Sequence, residues 1–254
     1  MPTPDREFKD AIYEQLARIG RAVDHPRRLE LLDLLCQGPM TVEQLATKSS
    51  MPLASASQHL QQLREARMVQ AQRRGSHVMY RLADAHVCDF FVALRDLAER
   101  RYAEIKAVSD EFLGDLQSLE AVDGARLRDR VNSGEVVLLD VRPPEEYATG
   151  HWPGAWSVPL DTLASRLRDL PRDRTIVAYC RGPYCVLAPH AVKRLREAGF
   201  EAIRLAEGPG DWRTRGLALA VGDRPSDNPW PPLSPPDDRP SHDPQTPLLP
   251  SDGE

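Results

Sequence analysis

Apolar residues in the first half of the chain recur at intervals of three and four, the period of helices that bury one face. Phe8, Ile12, Leu16, Ile19 and Val23 share a stripe and predict a helix over residues 7–23, which His25 and Pro26 end. Leu29, Leu31, Leu32, Leu34 and Leu35 predict a second helix that stops near Cys36, ahead of Gly38 and Pro39. Thr41 reads as the N-cap of a short helix over 42–48, and Ser49 to Pro52 as a turn. A further helix over 53–66 buries Ala56, Leu60 and Leu63 and presents Ser55, Ser57, Gln58, His59 and Gln62. Two short helices joined by a turn, the second presenting small polar and amide groups, are what reading base edges in a major groove requires.

Alternation replaces the helical period over 68–82, where two runs meet at Gly75 and predict a β-hairpin. Arg73, Arg74 and Arg81 give it a basic rim suited to phosphates; the plainer alternative is a hairpin with a solvated basic face. A long amphipathic helix over 86–113 follows, carrying Phe90, Phe91, Leu94 and Leu97. Beyond residue 119 strands and helices alternate. A short edge strand is read near 116–122 and a helix from 124 to 131, stopped at Gly134. Strands at 136–142, 155–159, 175–179 and 202–206 are separated by helices at 145–149, 163–170 and 187–197, with a last helix through Trp212. The run at 136–142 is almost continuously apolar, as in a parallel strand buried on both faces, so the second half is expected to be an α/β domain.

Composition changes this picture little. A chain of 254 residues with 41% hydrophobic and 28% charged residues suggests a globular protein of about two domains. It has no apolar run of ~18 residues and no apolar segment behind its polar start, so a cytoplasmic protein with no membrane partner is expected. The net charge of −5 is uneven. Residues 1–106 hold 16 Lys/Arg against 14 Asp/Glu, whereas 223–254 hold 2 against 7 together with ten prolines, the composition of a disordered tail. The four cysteines are expected to be free thiols or ligands.

The chemistry concentrates at Cys180. A β-branched strand ends there, a loop of Arg181, Gly182, Pro183, Tyr184 and Cys185 follows, and a helix begins at about Leu187. Loop N–H groups and a helix N-terminus favour a thiolate, while a buried core cysteine is the competing reading. Phosphoryl or arsenate chemistry would need Cys-x5-Arg, and position 186 is Val. Cys185 permits a resolving-thiol arrangement, with a zinc pair as the alternative, for which no second pair of ligands is placed. Arg181 and His190 are the nearest polar groups for an anionic donor, and Asp140 with Arg142 reads as a structural pair.

Two resemblances follow from these motifs. Residues 19–29, 41–46, 57–60, 63–66 and the wing ending Tyr80, Arg81, Leu82 resemble the ArsR/SmtB family of bacterial repressors, with Arg67 where members often have glycine. This implies a winged helix-turn-helix that binds a double-stranded DNA operator as a homodimer. The family's metal ligands are replaced: Thr41 and Glu43 stand where one site has Cys-x-Cys, and Asp84 and His86 lack the later ligands, Leu97 and Arg100 standing there. No metal or other cofactor is therefore expected. Some members sense persulfides or oxidants through two cysteines. Cys36 and Cys88 lie on the corresponding helices at a different spacing, and buried core thiols are the other reading. Asp140 to Arg142, Glu145 to Tyr147, Gly150 to Ala155, the Cys180–Cys185 loop and Leu205 to Gly208 with Trp212 resemble the rhodanese sulfurtransferase domain. That implies a persulfide on Cys180, formed from a sulfane-sulfur donor and passed to a thiol acceptor.

The expected organisation is a winged-helix DNA-binding and dimerisation domain (1–105), a helical linker (106–118), a rhodanese-like α/β domain with a parallel sheet (119–222) and a disordered tail (223–254). The expected function is a transcriptional regulator whose rhodanese domain processes or senses reactive sulfur. The alternative is a sulfurtransferase that uses the winged helix mainly to dimerise.

Overall fold

Helices α1 (Pro4–Val23) and α2 (Pro26–Cys36) each open on a proline, whose fixed φ suits a first turn and whose missing N–H would have had no partner there. The computed structural model describes residues 3–113, 127, 129–131 and 133–222. His25 caps α2 by accepting the Arg27 N–H at 3.1 Å. Strand β1 (Met40–Thr41) leads into α3 (Val42–Lys48) through a reciprocal cap: Thr41 Oγ1 accepts the Gln44 N–H at 3.2 Å, and Gln44 Oε1 accepts the Thr41 N–H at 2.8 Å. α4 (Leu53–Glu65) ends in a Schellman motif, Met68 N–H on the Leu63 carbonyl and Arg67 N–H on the Arg64 carbonyl. That motif puts Arg67 at φ +61°, a left-handed conformation that glycine adopts without strain.

The hairpin is β2 (Val69–Arg74) and β3 (His77–Leu82), turning at Gly75 with φ +59°. Strand β1 joins it, giving the antiparallel order β1-β3-β2. The expected long helix divides into α5 (Ala85–Arg101) and α6 (Ala103–Leu113) at an extended Tyr102. No glycine or proline marks that break. Leu31, Leu32, Leu35, Leu45, Ala56, Leu60, Leu63 and Leu82 form the core of this winged helix, and Phe91 packs into it.

In the second half β4 (Val136–Asp140), β5 (Trp156–Ser157), β6 (Thr175–Tyr179) and β7 (Ala202–Arg204) form a parallel sheet in the order β5-β4-β6-β7. Helices α7 (Pro144–Thr149), α8 (Leu163–Arg166) with a following 3-10 turn (Leu167–Asp169), α9 (Leu187–Glu197) and α10 (Pro209–Thr214) connect and cover it. Both faces are buried: Val137, Leu139, Ile176 and Ala178 point to one cluster, Val136, Leu138, Val177 and Tyr179 to the other. Strands β5 and β7 are shorter than expected, because pairing at the sheet edges covers fewer residues than the apolar run. The edge strand read at 116–122 and the tail at 223–254 lie outside the described residues.

Candidate functional site

Cys180 follows the last residue of β6 at the carboxyl end of the parallel strands, where open α/β sheets bind ligands. Its side chain is 1% exposed and packs with Ala178 and Ala188 in the core. The loop folds back through the Cys185 N–H to the Gly182 carbonyl at 3.2 Å, and Cys180 Sγ donates to the Cys185 carbonyl at 3.4 Å. Gly208 closes the site from behind. A Cβ there would sit 2.1 Å from the Arg181 carbonyl oxygen, so only glycine lets the chain before α10 pass beneath the loop.

The two thiols share one local field and do not ionise alike. Burial, the hydrogen bond to Cys185 and the charge on Cys185 push the Cys180 thiol up, although the Ala188 and Gly182 N–H groups oppose this. Cys185 is brought down to about 6 by the hydrogen bond from Cys180, against its own burial, with help from the Arg181 charge and the Arg181 and Leu187 N–H groups. Sequence reading considered only Cys180 as the thiolate; the loop's hydrogen bond and the Arg181 charge also favour the anion on its neighbour, Cys185. Cys185 is only partly buried and sits beside a guanidinium, so its charge costs less solvation.

The cations around the loop differ from those expected. Arg181 does not offer itself to an anion: its Nε and Nη2 lie 2.8 Å from the carboxylate of Glu146. Lys48 of α3 reaches the same carboxylate at 2.7 Å. His190 is exposed on α9. Arg204 was missed. It is 6% exposed, donates to the Pro183 carbonyl, lies within electrostatic range of both thiols and leaves Nε without a hydrogen-bond partner among the described residues. A charged residue inside the otherwise apolar strand at 202–206 was the available signal. Asp140 and Arg142 are the structural pair expected, both fully buried, with Arg142 Nε 2.9 Å from Asp140 Oδ1.

Sequence reading also missed how closely the two halves share this site. Gln37, at the end of α2 and 1% exposed, donates to the Arg181 carbonyl at 3.1 Å and accepts from Arg142 at 3.3 Å. Thr149 donates to the Gln37 carbonyl at 2.8 Å, Arg213 to the Cys36 carbonyl at 2.8 Å, and Tyr184 to Glu99 at 2.7 Å. Arg95 of α5 pairs with buried Asp211 of α10 at 2.5 Å. Between α2, α5 and the loop lies a cavity of about 660 Å³, onto which Cys185 opens and Cys180 does not.

Cys36 and Cys88, read either as a sensing pair or as buried core thiols, are paired in a disulfide with Cα atoms 5.6 Å apart across 52 residues of sequence. The C-terminus of α2 packs against the first turns of α5, a long-range proximity that spacing does not reveal. A Cβ on Gly210 of α10 would lie 3.6 Å from the Cys88 sulfur, so the pair borders the second half as well. Asp84 caps α5 by accepting the His86 N–H at 2.9 Å.

On α4, Gln58 is exposed, while Ser55 and Ser57 are half-buried. His59 is half-buried and rests against the ring of His25 at 4.4 Å, while Gln62 is exposed and accepts a hydrogen bond from Arg28. Arg73 and Arg74 are exposed at the hairpin tip. Phe8, Ile12 and Leu16 on α1 are exposed, as are Phe90 and Leu97 on α5, whereas Phe91 is buried and Leu94 lines the cavity.

Comparison with known proteins places both halves. Residues 25–71 match the family described as bacterial regulatory protein, arsR family, and residues 123–214 match the rhodanese-like domain. The chain is 44% identical over 214 residues to the HTH-type transcriptional regulator Rv0324 of Mycobacterium tuberculosis, covering 84% of this chain and 94% of that protein. It is 30% identical over 102 residues to a sulfurtransferase of Allochromatium vinosum, covering 39% of this chain and 94% of that protein. Among solved structures, the homodimeric winged helix-turn-helix DNA-binding domain of Mb0332 from Mycobacterium bovis is 38% identical, with 38% of this chain and 89% of that one covered and a TM-score of 0.36.

Proposed function

Because the chain belongs to the arsR family of bacterial regulatory proteins and carries a rhodanese-like domain behind its winged helix, we propose that it is a DNA-binding regulator that reads sulfane sulfur at Cys180. The observation that carries this reading is the continuity of the two sites. Lys48, on the first helix of the helix-turn-helix, shares the Glu146 carboxylate with Arg181 of the cysteine loop. Any change in the loop's charge or shape therefore acts directly on α3.

The chemistry runs as a thiol exchange. Cys185 as thiolate takes the proton of Cys180, and the Cys180 sulfur attacks the sulfane sulfur of a donor RSSH. The S–S bond of the donor breaks, RSH leaves and Cys180 carries S–SH. Loop N–H groups and the Arg204 guanidinium stabilise the anionic outer sulfur. A thiol acceptor then removes that sulfur, or Cys185 attacks the inner one, giving a Cys180–Cys185 disulfide and releasing hydrogen sulfide.

On the DNA side, Ser55, Ser57, Gln58, His59 and Gln62 of α4 meet base edges, and Arg73 and Arg74 meet phosphates. The exposed apolar residues Phe8, Ile12 and Leu16 of α1 and Phe90 and Leu97 of α5 pack against a second copy, setting two α4 helices on a two-fold operator. Mass spectrometry after exposure to inorganic polysulfide tests the chemical half: +32 Da on the Cys180 peptide of the wild type and none on Cys180→Ser is expected. An unmodified Cys180 sinks it.

A further inference from the structure

The cavity beside the cysteine loop has the size of a small-molecule site, about 660 Å³. Its walls are mainly apolar, with Leu29, Leu34, Phe91, Leu94, Ala98 and Ile105 on the winged-helix side and the loop opposite. Every cation in the wall already has an acid. Lys48 and Arg181 share Glu146 at 2.7 and 2.8 Å, and Arg95 holds Asp211 at 2.5 Å. Glu30 is paired with Arg27 at 2.8 Å.

Asp33 of α2 is the exception. It lines the cavity, yet its carboxylate makes no hydrogen bond or ion pair to any of the described residues. Burial first, then the charge on Cys185, with Asp211 adding and Arg95 and Arg181 opposing, raises it to about 7. A carboxylate left unpaired in an apolar space is costly unless a cation meets it. An inorganic anion such as thiosulfate would find no unpaired cation there among the described residues.

We infer that this cavity binds a small organic molecule with an apolar body and a protonated amine, the amine on Asp33 and the other end against Cys185. Resting on the sulfur reading above, this names the class of thiol that meets the loop through Cys185, the thiol that opens on the cavity: an amine-bearing thiol or its persulfide. The ligand spans the cavity from Asp33 of the winged helix to Cys185 of the loop, so both halves of the chain contribute to recognition.

The test uses unreactive probes on the full chain. Benzylamine, benzyl alcohol and benzoate are titrated by calorimetry between pH 6 and 8.5. Benzylamine should bind about tenfold more tightly than benzoate at pH 8, as expected for one charge-assisted contact. Its affinity should rise as pH passes through about 7, because ionised Asp33 is the binding form. Cys185 ionises near 6 in the same cavity, so the amine preference should survive in Cys185→Ser and vanish, with the pH step, in Asp33→Asn. Ala98→Trp should weaken all the aromatic probes. Benzoate binding as tightly as benzylamine, or an unchanged profile in Asp33→Asn, overturns the inference. Persulfide on Cys180 is measured in the same preparations. Loading without amine preference fails this inference alone, and amine preference without loading fails the sulfur reading alone.

Discussion

Replacing Glu146 with Gln removes the one acid that two cations share across the junction. The carboxylate is 2% exposed, and Lys48 and Arg181 are each 14% exposed. Removing one partner of a buried ion pair costs about 3–5 kcal/mol, and the partial exposure of both cations places this case near 3 kcal/mol. Burial alone would raise the Glu146 carboxyl, but the Arg181 hydrogen bond and charge and then Lys48 hold it below its ordinary value of 4.5. Its stabilisation is therefore fully present above that value and fades as pH falls through the lower folded one. Urea unfolding followed by tryptophan fluorescence reports the second half directly, since Trp152, Trp156 and Trp212 lie in it. At pH 7 the wild type should exceed Glu146→Gln by about 3 kcal/mol, and the gap should narrow as pH falls below 4.5. Lys48→Met should cost less, because Arg181 still pairs with the acid. A difference under about 0.5 kcal/mol at pH 7 would refute the reasoning that this shared carboxylate ties the halves together.

Three other outcomes follow from the same geometry. Gly208→Ala forces a methyl group against the Arg181 carbonyl, so Cys180 loading should be lost or fall severalfold while the winged helix still folds; mass spectrometry with far-UV circular dichroism checks both. Iodoacetamide should modify Cys185 first, with a rate that climbs through about pH 6 and then levels, and peptide mapping of Cys185→Ser should lack that low-pH reaction. Reducing the Cys36–Cys88 bond opens a loop spanning 52 residues and should lower stability by up to about 4 kcal/mol in the chain-entropy estimate, read as a shift of the urea midpoint.

The local parts of this protein were legible in the sequence. Period and caps located the helices around Thr41 and Leu53 and the turn at Gly75, because those elements are set by nearby residues. Arg67, noted as unusual where relatives carry glycine, proved to occupy the left-handed C-terminal position of α4. The loop at Cys180 was legible as strand, thiol, tight loop and helix. What escaped was everything decided by tertiary contact. Nothing near Tyr102 announces the break in the long helix, and nothing near Asp33, Gln37 or Lys48 says that these face the cysteine loop from another domain. The ionisation order of Cys180 and Cys185 likewise depends on burial and on Arg181, which spacing cannot rank.

A regulator that reads sulfur at Cys180 must bind DNA differently when that sulfur is present. The direct measurement is fluorescence anisotropy of the chain's own upstream DNA with protein whose Cys180 is reduced, persulfidated, or joined to Cys185, each state verified by mass spectrometry. Coupling of the usual size would separate at least two of these affinities by about fivefold or more, and Lys48→Met would shrink the separation. Equal affinity in all three states would contradict it and leave two domains that share a chain without sharing a signal.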